Sequence, residues 1–333
     1  MSATVRIGTC SWADETLTKV WYPPGVRAGE ARLRYYAERF DTVEANSTFY
    51  RLPDAQLVGN WAERTPPGFT MHVKAFGLMT RHPVKVEALP EDLRDAMPVD
   101  ERGRVDRPPR ELRAEVFRRF AQALEPLRAT GKLGGILLQF PSYVVRKPIS
   151  FEYVEWAQEQ LPSDELLIEF RHRSWLDDEG RAETLSFLER RGLTYVIVDA
   201  PRTDARNLVP TVVARTTPTA YVRFHGRNAA TWNIRGRSAA ERFDHLYSGE
   251  ELREWVEPLR ELAGEAENVY AMFNNNGRSP TPPASALEGL DPHEVSGDPA
   301  KGSVAQAPAN ALMLRQALAE AGVPVAQPTP ARA

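Results

Sequence analysis

The sequence of 333 residues contains a single cysteine, Cys10. One thiol allows neither an intrachain disulfide nor a cysteine-rich metal site, which fits a reducing compartment. We therefore expect a cytoplasmic protein. Lysine is also scarce, because only six of the 42 lysine and arginine residues are lysines. A lysine inside a predicted strand is for that reason of particular interest.

Long apolar runs are missing as well, and none approaches the length that a membrane-spanning helix requires. The first eight residues enter a strand-like run without the basic start and apolar stretch of a secretory signal. The formal net charge of −3 gives no whole-protein field that would attract nucleic acid or an acidic membrane surface. We expect no membrane partner, and any electrostatic attraction to a ligand must be local. The composition does not indicate an oligomeric state.

Strand-like and helix-like segments alternate along the chain, which is typical of repeated β-α units around a parallel sheet. Apolar runs predict eight strands, at residues 5–10, 42–46, 69–74, 133–139, 166–171, 194–199, 220–225 and 268–273. Helical periodicity predicts helices at residues 29–39, 54–63, 110–129, 150–160, 179–191, 250–263 and 307–321. Eight units favour one α/β domain, a TIM-type (β/α)8 barrel over residues 1–321. An open doubly wound sheet is the alternative, but no dinucleotide-binding glycine pattern follows the first strand.

The long irregular segments all follow predicted strands. They come after strands 3, 6, 7 and 8, at residues 75–109, 200–218, 226–248 and 274–305. In a barrel, the loops after the strands build the face that carries active sites. Segment 200–218 shows little helical character. The last segment, 322–333, contains three prolines and is expected to be a disordered tail.

Charged and amide side chains stand at the ends of several predicted strands. A two-residue spacing occurs in four pairs: Glu44 with Asn46, His72 with Lys74, Glu169 with Arg171, and Arg223 with His225. Side chains two positions apart lie on the same face of a strand, so the members of each pair share a face. A parallel sheet covered by helices should be almost continuous in valine, isoleucine and leucine. The polar strand ends therefore predict one converging site.

Sequence blocks in a fixed order run through nearly the whole chain. They are Ile7-Gly8-Thr9-Cys10-Ser11-Trp12, Trp21-Tyr22-Pro23, Val43-Glu44-Ala45-Asn46-Ser47-Thr48-Phe49-Tyr50, Gln139-Phe140-Pro141, Glu169-Phe170-Arg171-His172, Ser174-Trp175, Arg223-Phe224-His225-Gly226-Arg227, Leu246-Tyr247-Ser248, Phe273-Asn274-Asn275 and Asn310-Ala311. Together they resemble the DUF72 family, also called YecE-like proteins, whose function is unknown. The resemblance implies a single-domain barrel of the TIM type and supplies no reaction. Many members have serine and glycine where this chain has Cys10 and Ser11, so we do not expect Cys10 to be an indispensable nucleophile.

Five residues are candidates for catalysis: Glu44, Lys74, Glu169, Asp199 and His225. Neighbouring buried charges shift one another's pKa, which prepares carboxylates, lysines and histidines for acid–base work. Lys74 could instead form a Schiff base with a carbonyl substrate. That chemistry needs a lowered lysine pKa, however, and two nearby glutamates are expected to raise it.

Cations, amides and aromatic side chains at or after the strand ends are candidates for ligand binding. They are Trp12, Asn46, Tyr50, Gln139, Arg171, Arg223, Arg227, Asn274 and Asn275. Guanidinium groups bind two oxygens of a phosphate or carboxylate at once, and the amides add neutral donors. Aromatic rings in the loops either stack on a ligand or form the wall of the barrel mouth.

The leading interpretation is an enzyme that acts by acid–base chemistry on a small, hydroxylated and phosphate-bearing anion. Hydrolase, lyase and isomerase chemistry all remain open. A non-catalytic barrel that binds a ligand or acts as an adaptor is an alternative. A purely structural ion network, with Glu44 and Lys74 paired across neighbouring strands, is a further one, although desolvation makes such networks poor for stability.

Another alternative is a metal-dependent phosphodiesterase that acts on nucleic acid. Its divalent metal would be bound by Glu44, Glu169, Asp199 and His225, which are residue types that barrel metal sites use. The basic loop from Arg227 to Arg237 would contact the phosphate backbone. Three cations in the same ring, Lys74, Arg171 and Arg223, would repel a metal and satisfy the carboxylates instead. No cofactor is therefore predicted, and nucleic acid is not the favoured partner.

Overall fold

The computed structural model describes residues 2–233, 239–283, 287, 289–296 and 298–328. Its centre is a closed barrel of eight parallel strands, in which each strand neighbours the next in sequence and the last closes on the first. The strands are β1 (Val5–Thr9), β2 (Thr42–Ala45), β3 (Thr70–Lys74), β4 (Leu133–Gln139), β5 (Leu166–Glu169), β6 (Thr194–Asp199), β7 (Thr219–Phe224) and β8 (Asn268–Phe273). The predicted TIM-type barrel is confirmed, and closure of the sheet excludes the open doubly wound alternative.

The longer helices overlap the predicted ones, but the predicted helix 250–263 is divided into Gly249–Arg253 and Val256–Glu265. They are α1 (Gly29–Ala37), α2 (Ala55–Glu63), α3 (Arg110–Ala123), α4 (Pro148–Glu159), α5 (Arg181–Arg191), α6 (Val256–Glu265) and α7 (Gln306–Glu320). Shorter helical turns span Leu17–Trp21, Ser47–Phe49, Gly77–Thr80, Val86–Ala88, Glu91–Arg94, Glu125–Ala129, Arg173–Trp175, Ala229–Trp232, Ala239–Arg242, Gly249–Arg253, Pro292–Val295 and Pro299–Lys301. The predicted helix 110–129 is divided in two, because Pro126 lacks an N–H and stands in the first turn of a new helix. Within the described ranges, no helix has the length and apolar character needed to cross a membrane.

The four long segments after strands 3, 6, 7 and 8 are present as predicted. Segment 75–109 carries a small antiparallel pair, Val84–Lys85 with Arg104–Val105. Segment 274–305 carries a second pair, Arg278–Pro280 with Ser303–Ala305. Segment 200–218 joins β6 to β7 without a helix, in agreement with its lack of helical periodicity.

An aromatic layer fills the barrel below its charged end. The ring of His72 on β3 lies edge to face against Tyr221 and Tyr270, with centroids 4.7 Å and 4.3 Å away. Gly134 on β4 makes room for this ring, since a Cβ atom there would come within 2.6 Å of His72 Cε1. The layer separates the polar end of the barrel from the opposite end.

The end of the chain differs from the predicted disordered tail. Val325 forms a parallel bridge with Val5, where the Val5 N–H donates to Pro324 and the Ala326 N–H donates to Val5. β1 pairs with β2 only between Thr9 and Val43, so the start of β1 offers free backbone groups to the tail. The prediction is wrong for this paired stretch, and residues 329–333 lie outside the described residues.

Candidate functional site

A fully buried arginine on β7, Arg223, lies at the centre of the barrel. Its Nη2 and Nε donate to the two oxygens of Glu44 on β2, over 2.6 Å and 3.0 Å. Its Nη1 donates to Glu169 Oε2 on β5. The Tyr221 hydroxyl donates to Glu44 Oε2 at 2.9 Å. One guanidinium thus links three strands, and both oxygens of Glu44 are bonded to Arg223 instead of to Lys74, the partner named in the structural-network alternative.

The other carboxylate oxygen of Glu169, Oε1, contacts three further side chains. Arg171 Nε lies 2.5 Å from it, Gln139 Nε2 donates to it at 2.8 Å, and His225 Nε2 lies 3.1 Å away. Burial opposes ionisation of this carboxyl, yet Arg171 and Arg223 hold its pKa well below the usual range. Glu169 is therefore an ionised carboxylate whose oxygens are both occupied.

His225 follows β7 and is fully buried beside Glu169. Its Nδ1 accepts from Asn274 Nδ2 at 2.9 Å, which assigns the ring proton to Nε2, and Nε2 lies 3.1 Å from both Glu169 Oε1 and Arg171 Nη2. Burial, followed by repulsion from Arg171, lowers the pKa of His225 to about 3. A neutral ring with both nitrogens occupied is better suited to holding Glu169 and Asn274 in position than to the predicted proton transfer.

A cavity of about 300 Å³ lies at this end of the barrel. It is lined by Cys10, Ser11, Trp12, Ala13, Asp14, Asn46, Ser47, Tyr50, Lys74, Gln139, Arg171, Phe243, Asn274 and Asn276. Seven residues singled out in the sequence are brought together here: Trp12, Asn46, Tyr50, Lys74, Gln139, Arg171 and Asn274. Glu44, Glu169, Arg223 and His225 are not among the lining residues and form a supporting layer behind it.

Lys74 faces this cavity from the end of β3. Its Nζ donates to Gln139 Oε1 at 2.9 Å and lies 4.3 Å from the centre of the Phe49 ring. Burial, followed by the charge of Arg223, lowers the pKa of Lys74 to about 8. Glu44 and Glu169 do raise this pKa as expected, but burial and the charge of Arg223 outweigh them.

Three of the lining residues carry an acceptor atom that is buried without a hydrogen-bond partner among the described residues. They are Asp14 Oδ2, Asn46 Oδ1 and Asn276 Oδ1. Burial raises the pKa of Asp14 to about 6. Sequence reasoning missed Asp14 and Asn276, whose only signal was a position in the loops that follow β1 and β8.

Three residues predicted for the site lie elsewhere. Asp199 on β6 pairs in register with Phe224, which is one position away from the inward-facing Arg223, so Asp199 faces the helices. There it accepts from Arg227 Nε at 3.0 Å and Trp255 Nε1 at 3.0 Å. Asn275 donates to Asn310 at 2.8 Å instead of lining the cavity. Asp199, Arg227 and Asn275 are therefore not among the residues that line the cavity.

The residues named as alternative metal ligands lie in two different places in the barrel. The four residues named as ligands are not gathered, since Asp199 faces the helices while Glu44 and Glu169 hold arginine. No group of three or more histidine, cysteine or acidic side chains suited to a metal ion occurs in the described part of the chain. Of the basic loop, Arg227 pairs with Asp199 and Glu254, and Arg235 and Arg237 lie outside the described residues.

The fold and the site together define a TIM-type barrel with a buried charged layer and a ligand-sized cavity at the C-terminal ends of its strands. Residues 6–294 match the model of the family described as "Protein of unknown function DUF72". The chain belongs to this family, and the resemblance seen in its sequence blocks is confirmed.

Known relatives agree with this assignment. UPF0759 protein YunF of Bacillus subtilis (strain 168) is 31% identical over 276 residues, which cover 82% of this chain and 89% of the relative. The crystal structure of a DUF72 family protein from Thermotoga maritima MSB8 is similar, with 32% identity, a TM-score of 0.64 and coverage of 82% of this chain and 92% of that one. A DUF72 family protein from Enterococcus faecalis V583 has a TM-score of 0.72 at 22% identity, covers 99% of this chain and 100% of its own, and supports the fold.

Proposed function

We propose that this barrel is an enzyme that binds a small, hydroxylated anion in the cavity and acts on it by acid–base chemistry. The observation that carries the proposal is the polarity of the cavity wall. Lys74 and Arg171 supply positive charge, while Asp14, Asn46 and Asn276 supply acceptor atoms without partners. Anionic oxygens of a ligand would pair with the two cations, and hydroxyl groups of the ligand would donate hydrogen bonds to the acceptor atoms.

The charge balance of the buried layer supports an anionic ligand. Two carboxylates, Glu44 and Glu169, face three cations, Lys74, Arg171 and Arg223, so one positive charge is not neutralised when Lys74 is protonated and Asp14 on the cavity wall is neutral. A phosphate or carboxylate placed beside Lys74 and Arg171 would supply the missing negative charge. Arg171 is held on Glu169 and stands before the rings of Trp232 and Phe243, at 5.4 Å and 5.8 Å, which fixes its orientation toward a ligand.

Proton transfer is assigned to the titratable groups that line the cavity. Lys74 and Asp14 have pKa values of about 8 and about 6, and a general acid or base works best when its pKa lies near the working pH. Glu44, Glu169 and His225 support them from behind: Glu169 orients Gln139, and Gln139 holds Lys74. Hydrolase, lyase and isomerase chemistry are all compatible with this pair.

Replacement Arg171→Met tests the anion site. We expect binding of inorganic phosphate and of glycerol 3-phosphate, measured by calorimetry at low ionic strength, to weaken about tenfold, since a charged hydrogen bond of about 1.4 kcal/mol is removed. Arg173→Met is the matched control, because Arg173 makes the same charge change two residues away but pairs with Asp204 and does not line the cavity.

Equal losses in the two variants would mean that phosphate responds to the general field of the surface and would contradict the proposed site. Turnover is followed separately, by phosphorus NMR of the phosphate-bearing polyols that bind. A ligand that binds with the expected Arg171 dependence but is never converted would favour the non-catalytic barrel.

A further inference from the structure

We propose that Lys74 is a covalent nucleophile whose amine condenses with the carbonyl carbon of an anionic aldehyde or ketone held in the cavity. The inference rests on the proposed function, since the anion-binding side chains are what would place the carbonyl beside the amine. It narrows the substrate class from hydroxylated anions in general to those that carry a carbonyl group.

The position of Lys74 differs from that of other lysines in the chain. Lys132 is buried too, but its ammonium donates to the carbonyl oxygens of Ala62 and Thr65 at 2.5 Å each. Lys19 and Lys301 are within ion-pair distance of carboxylates. Lys74 contacts one neutral amide, and both nearby glutamates are paired with arginines. Its nitrogen thus faces the cavity without a counterion among the described residues.

The surroundings of Lys74 also favour the neutral, nucleophilic amine. With a pKa of about 8, roughly one tenth of the side chain is unprotonated at pH 7, compared with fewer than about one in a thousand for an ordinary lysine. Gln139 Oε1 accepts a hydrogen bond from the amine and is fixed in that orientation because Gln139 Nε2 donates to Glu169. The nitrogen is therefore both oriented and partly deprotonated before a ligand arrives.

The condensation is balanced without a further reactant. The nitrogen lone pair of the neutral Lys74 amine attacks the carbonyl carbon, the π electron pair moves to oxygen, and one proton passes from nitrogen to that oxygen to give a carbinolamine. The oxygen then takes a second proton from an acid and leaves as water while the nitrogen lone pair forms the carbon–nitrogen double bond, and the remaining N–H proton returns to the conjugate base of that acid. Asp14 lines the same cavity, and its pKa of about 6 allows it to deliver a proton to the leaving oxygen and to recover one.

Borohydride trapping tests the proposal on the full chain. The protein is incubated with glyceraldehyde 3-phosphate, reduced with sodium borohydride, digested and mapped by mass spectrometry. Hydride transfer to the double bond leaves a stable secondary amine at the modified lysine. We expect Lys74 to be modified at least about tenfold faster than the exposed Lys85 at pH 7, because its pKa of about 8 gives it more neutral amine than an ordinary lysine and the anion site holds the carbonyl beside it. Glyceraldehyde without phosphate is not held by the anion site and should show a smaller preference.

Lys74→Arg keeps the positive charge and removes the nucleophilic amine, and it should abolish trapping at this position. If that variant does not fold, the peptide map of the unaltered protein decides the question alone. Glyceraldehyde 3-phosphate that binds with the Arg171 dependence described above, but is trapped at Lys74 no faster than at Lys85, would overturn the covalent role and leave the proposed anion site intact. Absence of both binding and trapping would overturn the two together.

Discussion

Arg223→Met is expected to lower the free energy of unfolding by about 3–5 kcal/mol, which is the usual cost of removing one partner from a buried ion pair. Arg223 is fully buried, and its guanidinium is the partner of both Glu44 and Glu169. Methionine has a similar length but leaves two carboxylates without that partner inside the barrel. Urea unfolding followed by circular dichroism measures the loss.

Two comparisons test whether the loss of stability comes from the buried ion pairs of Arg223. Arg260→Met removes an exposed arginine that pairs with Glu257, and no measurable loss is expected there. Adding Glu44→Gln and Glu169→Gln to Arg223→Met removes the stranded charges and should recover part of the stability. An Arg223→Met protein as stable as the Arg260→Met protein would show that the central guanidinium contributes little.

Acidification from pH 7.5 to 5.5 is expected to destabilise the barrel through His72 and His225. Burial lowers the pKa of each to about 3, so below pH 6.5 the unfolded chain binds protons that the folded chain excludes. The contribution of these histidines to stability is fully present above pH 6.5 and is lost as the pH falls toward 3. At pH 5.5 the loss is about 1.4 kcal/mol for each histidine.

Other groups act in the opposite direction, such as Asp14, whose raised pKa favours the folded state on acidification. Variants that each lack one buried histidine separate the histidine contribution from these groups. His72→Leu removes one of the two buried rings, and His225→Asn removes the other. Each variant should lose less stability between pH 7.5 and 5.5 than the unaltered protein, by about 1.4 kcal/mol. His293→Gln changes an exposed histidine and serves as the control. Identical pH dependence in all four proteins would contradict the assignment.

The barrel was predictable because short sequence patterns indicate each of its strands and helices. Apolar runs and helical periodicity located the eight strands, and the two-residue spacing correctly placed Glu44, Glu169 and Arg223 on the inner face. The same spacing brought Arg171 and His225 to them. Because side chains alternate across a strand, a few residues at its end are enough to show which polar side chains share a face.

The errors arose where the outcome depends on how strands align with each other. Asp199 ends a strand as Glu169 does, but its register with β7 sets it facing the helices. The pKa of Lys74 is lowered first by burial and then by the charge of Arg223, and both depend on strands far apart in sequence. Asp14 lies in a loop, where no periodicity marks a side chain that reaches a cavity.

The position of Arg223 along the chain affects when the barrel can close during synthesis. Glu44 and Glu169 leave the ribosome well before the guanidinium that neutralises them, which arrives only with β7. A partial barrel that ends before β7 would enclose two carboxylates without that countercharge, and such a fragment is disfavoured. The chain is therefore expected to remain open until its last third is made, so that truncation before β7 yields no stable intermediate.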